Sequence, residues 1–248
     1  MDVGSTIRIE KAFEQIQPRI QKACERSKRL PSDITIIGVT KNHPAQMIIE
    51  SLRIGITNIG ESYVQEAVKK LEETKTLLSI EQFKKITWHF IGGLQTNKIK
   101  HIKDNFSFIH SIDNHRQLEE INKRIETSVS IFFEINTGNE DSKGGVKIDE
   151  VRYLLEVLAT VNEKRKVASK PEITAAGLMC IPPFEENPEL SRPYFESLRK
   201  GQEILNEEFG LNMRYLSMGM SNDFDIAVEE GATHVRIGTL LYGERVYA

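Results

Sequence analysis

Lys41 closes an apolar, β-branched run, Ile34-Thr35-Ile36-Ile37-Gly38-Val39-Thr40, and Asn42-His43-Pro44 follows at once. Ile and Val at that density fit a strand buried on both faces, and His43-Pro44 ends the strand and can open a helix. A lysine at a strand's carboxyl end has two readings: a solvated side chain where the chain meets water, or an amine presented to a ligand and able to form a Schiff base with a carbonyl. Late in the chain, two further runs end in glycine and hydroxyl residues: "LSMGMSND", with Ser217 and Ser221, and "VRIGT", with Gly238 and Thr239. Glycine lets backbone approach an anion closely, N–H groups at a helix start attract phosphate, and hydroxyls add donors. Taken alone, "SMGMSND" reads equally well as a glycine turn with Ser221 or Asn222 capping a helix. Arg236 lies two residues before Gly238 in an apolar run. It is either half of an inward ion pair or a fixed cation in a ligand pocket.

These groups need elements to position them. Apolar, β-rich runs alternate with segments of helical period, and eight such runs occur, at 34–41, 58–60, 86–91, 106–112, 129–136, 173–180, 215–218 and 235–238. A helix over 6–28 precedes them. The alternation predicts an α/β fold, a single-domain (β/α)8 TIM barrel with an extra N-terminal helix, ahead of an open doubly wound sheet. No glycine- or serine-rich linker breaks the pattern, so residues 1–248 read as one domain. "VNEKRKVASKPE" is charged enough to read as a loop between helix and strand.

Composition narrows the function classes. The net charge is −3, with 28% charged and 39% hydrophobic residues. No basic excess favours nucleic acid as a partner. Cys24 and Cys180 are far apart and lack metal-ligand spacing, which predicts a reducing compartment and no structural zinc. No stretch approaches the ~18 apolar residues of a membrane span. The expectation is a cytoplasmic protein without a membrane or nucleic-acid partner, and a monomer.

A barrel carries its chemistry at the carboxyl ends of its strands. There the sequence supplies Lys41, then Asn58, Glu61 and Ser62 in "NIGESYVQE", and Gly92, Gly93, Gln95 and Asn97 in "WHFIGGLQTNK". "EINTGNEDSKGG" and "GLMCIPP" follow before the two glycine-hydroxyl loops. His89 and Trp88, within a run, read as core side chains. The candidate cofactor-binding residues are Lys41, Asn58, Ser217, Ser221, Arg236, Gly238 and Thr239. An amine and an anion site together call for a ligand with a carbonyl and a phosphate, which pyridoxal 5'-phosphate supplies.

The motifs "VTKNHP", "NIGESYVQE", "WHFIGGLQTNK", "INTGNEDSKGG", "GLMCIPP", "LSMGMSND" and "VRIGTLLYG" together resemble those of the pyridoxal phosphate homeostasis proteins, whose fold is similar to the N-terminal barrel of alanine racemase. The resemblance implies Lys41 as the Schiff-base lysine, Ser217, Ser221, Gly238 and Thr239 around the phosphate, and Arg236 near the pyridine nitrogen. It also marks Lys143 as a possible second amine, against the plainer reading of a solvated loop lysine. Where the family usually reads Phe-Gly-Glu-Asn-Tyr, this chain has Ile59-Gly60-Glu61-Ser62-Tyr63, so a smaller wall and no amide are expected in the second loop.

Three functions fit these residues. The leading one is a non-catalytic protein that holds pyridoxal 5'-phosphate as a lysine aldimine and buffers it or delivers it to apo-enzymes. An amino-acid racemase needs a second acid/base group, which in racemases comes from a further domain, and the chain ends a few residues after the eighth run. A Schiff-base aldolase for a phosphorylated substrate shares the amine and the anion loops, but should be colourless.

Overall fold

The computed structural model of the chain describes residues 3–138, 140 and 144–244. Helix α1 (Val3–Ser27) comes first, and strand β1 (Thr35–Val39) leads to α2 (Gln46–Arg53). Next come β2 (Asn58–Glu61), α3 (Val64–Leu77), the short α4 (Ile80–Phe83), β3 (Thr87–Phe90) and α5 (Ile99–Ile102). Then follow β4 (Phe108–Ile112), α6 (His115–Arg124), β5 (Val129–Ile135), α7 (Glu150–Val167), β6 (Ile173–Cys180) and α8 (Arg192–Phe209). The last elements are β7 (Tyr215–Met220), α9 (Phe224–Glu229), β8 (His234–Ile237) and α10 (Thr239–Tyr242). The strands form a closed barrel in sequence order, all pairs parallel, with β8 returning to β1. This is the (β/α)8 fold that the alternation of runs predicts.

Most of the core lies between the sheet and its helices. The inner face carries two smaller apolar groups: Ile37, Val39 and Ile91 on one side, and Phe132, Ala176 and Met179 with Phe108 on the other. Helix α1 buries Ile9, Ile16, Ile20 and Ala23, a stripe of helical spacing. It lies against α9 and α10, where Arg19 pairs with Asp225 at 3.0 Å and stacks 4.2 Å over the Phe224 ring. The extra helix therefore covers the seam where the barrel closes. Cys24 and Cys180 are free and buried. No described helix is long and apolar enough to cross a membrane.

Two segments differ from the sequence reading. Part of "VNEKRKVASKPE" is not loop, because α7 continues to Val167. The cause is Arg165, which is fully buried and donates to the carbonyls of Pro171, Ile125 and Thr127, so a charged residue anchors the helix end. After β3, where the alternation calls for a full helix, the chain forms a short 3-10 turn plus the four-residue α5.

Candidate functional site

Lys41 sits at the first corner of a turn just past β1, half-buried at the carboxyl end of the barrel. His43 N donates to Thr40 O at 3.0 Å to close the turn, and Asn42 adopts a left-handed φ of 60°, which asparagine tolerates. Behind it lies a polar clamp between sheet and helix. Lys70 on α3 is 4% exposed and donates to Thr40 O (2.6 Å), Glu61 Oε1 (2.7 Å) and Glu66 Oε1 (2.8 Å). Glu66 also accepts from Asn42 N (2.6 Å), and Glu61 Oε1 accepts from Thr40 Oγ1 (2.5 Å). The residues on either side of Lys41 are thus fixed by hydrogen bonds. Burial raises the Glu61 carboxyl above its ordinary range, with Lys70 opposing.

Removing one partner of a buried pair leaves an uncompensated charge. Lys70→Met is therefore expected to cost about 3 kcal/mol, a fall in Tm of roughly 6–12 °C for a chain of this size. A Lys70→Met/Glu61→Gln double variant should recover most of the loss. A single variant as stable as the parent would show that the clamp contributes nothing.

Arg236 on β8 is buried inside the barrel. Its Nη1 donates to Ser217 Oγ (2.8 Å) and its Nη2 to Cys180 O (2.9 Å), which fixes the guanidinium plane. From Ser217 the bonding continues across the lumen to His110 Nδ1 (2.9 Å), from His110 Nε2 to His89 Nδ1 (2.9 Å), and from His89 Nε2 to Asn58 Oδ1 (3.0 Å). Its ends set its direction. The Asn58 carbonyl oxygen only accepts, so with both imidazoles neutral each link donates toward Asn58. Burial agrees, holding His89 and His110 well below the usual imidazole range. Among the described residues no carboxylate lies within ion-pairing distance of Arg236, while Glu134 and Asp223 act on it at longer range. The inward ion pair is therefore not the state of Arg236 among the described residues.

The β7 and β8 ends form a shallow cradle. Register slips between Ser217 and Met220, freeing backbone from the ladder, and Gly219 takes φ 86°, where a Cβ would meet Ala227 and Phe224. Ser221 Oγ accepts from Leu240 N at 3.2 Å, joining the two loops. Gly238 precedes α10, and Thr239, its first residue, is exposed. Tyr242 pins α10 by a 2.7 Å hydrogen bond to Ser51 Oγ, and its hydroxyl fills the place that any side chain at Gly38 would need.

Lys41, Ser221, Gly238 and Thr239 therefore meet at the rim of one seam, with Arg236 and Ser217 beneath. Asn58 differs from its expected place. It is the first residue of β2 and ends the histidine relay instead of standing at the strand's carboxyl end. Glu61 faces α3 rather than the mouth. Ile59 is packed in the shell under the helices, so its difference from the family's phenylalanine alters core packing and not a pocket wall. Lys143 lies outside the described residues. His110, Glu66 and Lys70 were missed, and the only sequence signal for His110 was an imidazole in the middle of an apolar run.

The alanine racemase N-terminal domain family model matches residues 14–246. A pyridoxal phosphate homeostasis protein of Aquifex aeolicus is 42% identical over 238 residues, covering 95% of this chain and 97% of the relative. The chain belongs to the pyridoxal phosphate homeostasis protein family. An Escherichia coli protein of that family is 33% identical over 242 residues, with 94% of this chain and 95% of the relative covered. Among solved structures, PipY of Synechococcus elongatus with PLP bound superposes with a TM-score of 0.71 at 29% identity, over 91% of this chain and 100% of PipY. The family match agrees with the resemblance carried by the motifs and with the closed parallel barrel.

Proposed function

We propose that this chain binds pyridoxal 5'-phosphate as an aldimine on Lys41 and buffers or delivers the cofactor without obligatory turnover. The observation that carries the reading is the convergence at one seam of a clamped lysine, a buried donor-only cation and a glycine-hydroxyl cradle. Register supports it: Ile37 pairs with Arg236 and Gly38 with Ile237, so the turn after β1 and the loop after β8 are neighbours. A Cβ placed on Gly238 would lie 3.5 Å from Val39 Cβ.

In this reading Ser221, Gly238 and Thr239 hold the phosphate. Ser217, engaged by His110 and Arg236, fixes the arginine, and Asn58 anchors the same relay from its far end. Arg236 faces the pyridine nitrogen. An arginine stays protonated and only donates, so that nitrogen keeps its lone pair and the ring is a weak electron sink. A carrier needs no more. The PLP-bound PipY structure supports the cofactor class, and the names of the relatives support a homeostatic role. The carrier acts as a cytoplasmic monomer whose recipients are apo-enzymes.

Mixing the purified protein with pyridoxal 5'-phosphate should give a yellow band that borohydride bleaches. Pyridoxal should bind roughly 100-fold more weakly or worse, since charged hydrogen bonds contribute about 1.5–3 kcal/mol each. A colourless protein would favour the aldolase reading, and equal affinities would remove the phosphate role from the seam. Lys41-dependent turnover of an amino acid would overturn the carrier reading in favour of a racemase or related enzyme.

A further inference from the structure

Glu134 is the last residue but one of β5, the strand opposite β1 in the barrel. Phe132, two residues earlier, stacks on His110 in the lumen with ring centroids 4.1 Å apart, and the strand period of two turns Glu134 to the same inner face. Its sheet partner Met179 belongs to that inner face too. The side chain is 9% exposed, and no described residue donates a hydrogen bond to it or pairs with it. A Cβ built on Gly144 would lie 3.6 Å from Glu134 Oε1 and 3.8 Å from Asp113 Oδ2, so the two carboxylates flank one point. The lumen of an eight-stranded barrel is only wide enough for side chains to fill, so residues on opposite strands reach a common region.

We propose that Glu134 is the proton-exchanging residue for making and breaking the bond between Lys41 and the cofactor carbonyl, acting from the strand opposite the lysine. The proposal rests on the cofactor reading above. When Lys41 nitrogen joins a carbonyl carbon, the oxygen must depart as water. Glu134 in its acid form gives that oxygen a proton as the C–O bond breaks, and the nitrogen lone pair makes the second C–N bond. In release, the Glu134 carboxylate takes a proton from the attacking water as the C–O bond forms and the second C–N bond returns to nitrogen.

The surroundings suit a group that must serve in both forms. Asp113 faces it from the end of β4 and Arg236 from β8. The neighbouring His110 and the Cys180 thiol are held neutral by burial. Burial and then Asp113 push the Glu134 carboxyl up to about 7, with Arg236 opposing. Proton transfer is most effective when the group titrates near the working pH.

Stopped-flow formation of the yellow band, measured across neutrality, tests the assignment. The parent chain should show a rate component that falls with a midpoint near 7 as the carboxyl deprotonates. Glu134→Gln should erase that component and slow loading by roughly 100-fold. Its affinity for pyridoxine 5'-phosphate, which has an alcohol in place of the aldehyde, should match the parent's. Asp113→Asn should keep the component and move its midpoint down, because a repelling charge is gone. A Glu134→Gln protein that loads with the parent's rate and pH profile overturns the role and leaves the cofactor reading standing. Equal loss of pyridoxine 5'-phosphate affinity would make Glu134 structural and overturn it too. Absence of any band in the parent removes both readings together.

Discussion

The Lys41→Ala protein is expected to stay colourless with pyridoxal 5'-phosphate under conditions in which the parent chain turns yellow. The band belongs to a carbon–nitrogen double bond conjugated with the ring, and alanine has no amine to make it. Nor does Lys70, the nearby described lysine, offer a substitute: it is locked behind the sheet by Thr40, Glu61 and Glu66. Residual binding would rest on the anion seam. Two or three charge-assisted bonds contributing about 4–6 kcal/mol in all correspond to a Kd of roughly 0.04–1 mM. The parent chain, reduced with borohydride and digested, should carry its adduct on the peptide containing Lys41. An adduct on another lysine, with Lys143 the one to watch, would overturn the assignment.

Acid should unfold the protein earlier than an ordinary barrel of its size. His89, His110 and His234 are buried and neutral, with burial the leading cause in each case; His234 is held down to about 4. The unfolded chain protonates its histidines near 6.5. The folded values lie lower, so their contribution is fully present above about pH 6.5 and is lost as pH falls toward the folded values. His234 alone accounts for about 3 kcal/mol by pH 4. Glu134 works in the opposite sense: its folded value is raised, so its contribution is present in acid and lost as pH rises through about 7. It offsets about one histidine, and Glu61 and Asp223, also raised by burial, act in the same sense, so the net loss between about pH 6.5 and 4 rests on His89 and His110. Urea unfolding at a series of pH values measures it. Glu134→Gln should steepen the acid limb, and a stability that is flat from pH 6.5 to 4 would contradict the neutral relay.

The parts of this architecture that were legible in the sequence are those whose signals are local. A β-branched run ending in Lys41 and a proline turn, and glycine next to hydroxyl residues after two late runs, each declare themselves within ten residues. The clamp and the relay do not. Lys70 reaches Glu61 because α3 returns across the strand it follows, and Ser217 meets His110 across the lumen at a separation of 107 residues. Both also run against the general tendency of charged and imidazole groups to stay near water. Arg165 misled for the same reason: a run of charges suggested loop, while three backbone carbonyls made a buried arginine the anchor of a helix. Ile59 shows the converse difficulty, since a departure from the family's motif says nothing about which face of the strand it lands on.

The lysine turn and the proposed anion cradle stand on the first and the last two strands of the barrel. A ribosome finishes the first long before it starts the second, so a nascent chain displays Lys41 while the other half of the pocket is still unmade. Until β8 slots between β7 and β1, two strand edges lie open and the amine has no cradle beside it. In the proposed reading, cofactor capture is thus a property of the completed chain. Once captured, a ligand held by both ends acts as a staple across the last gap to close, resisting the opening of that gap in proportion to how far its concentration exceeds its Kd.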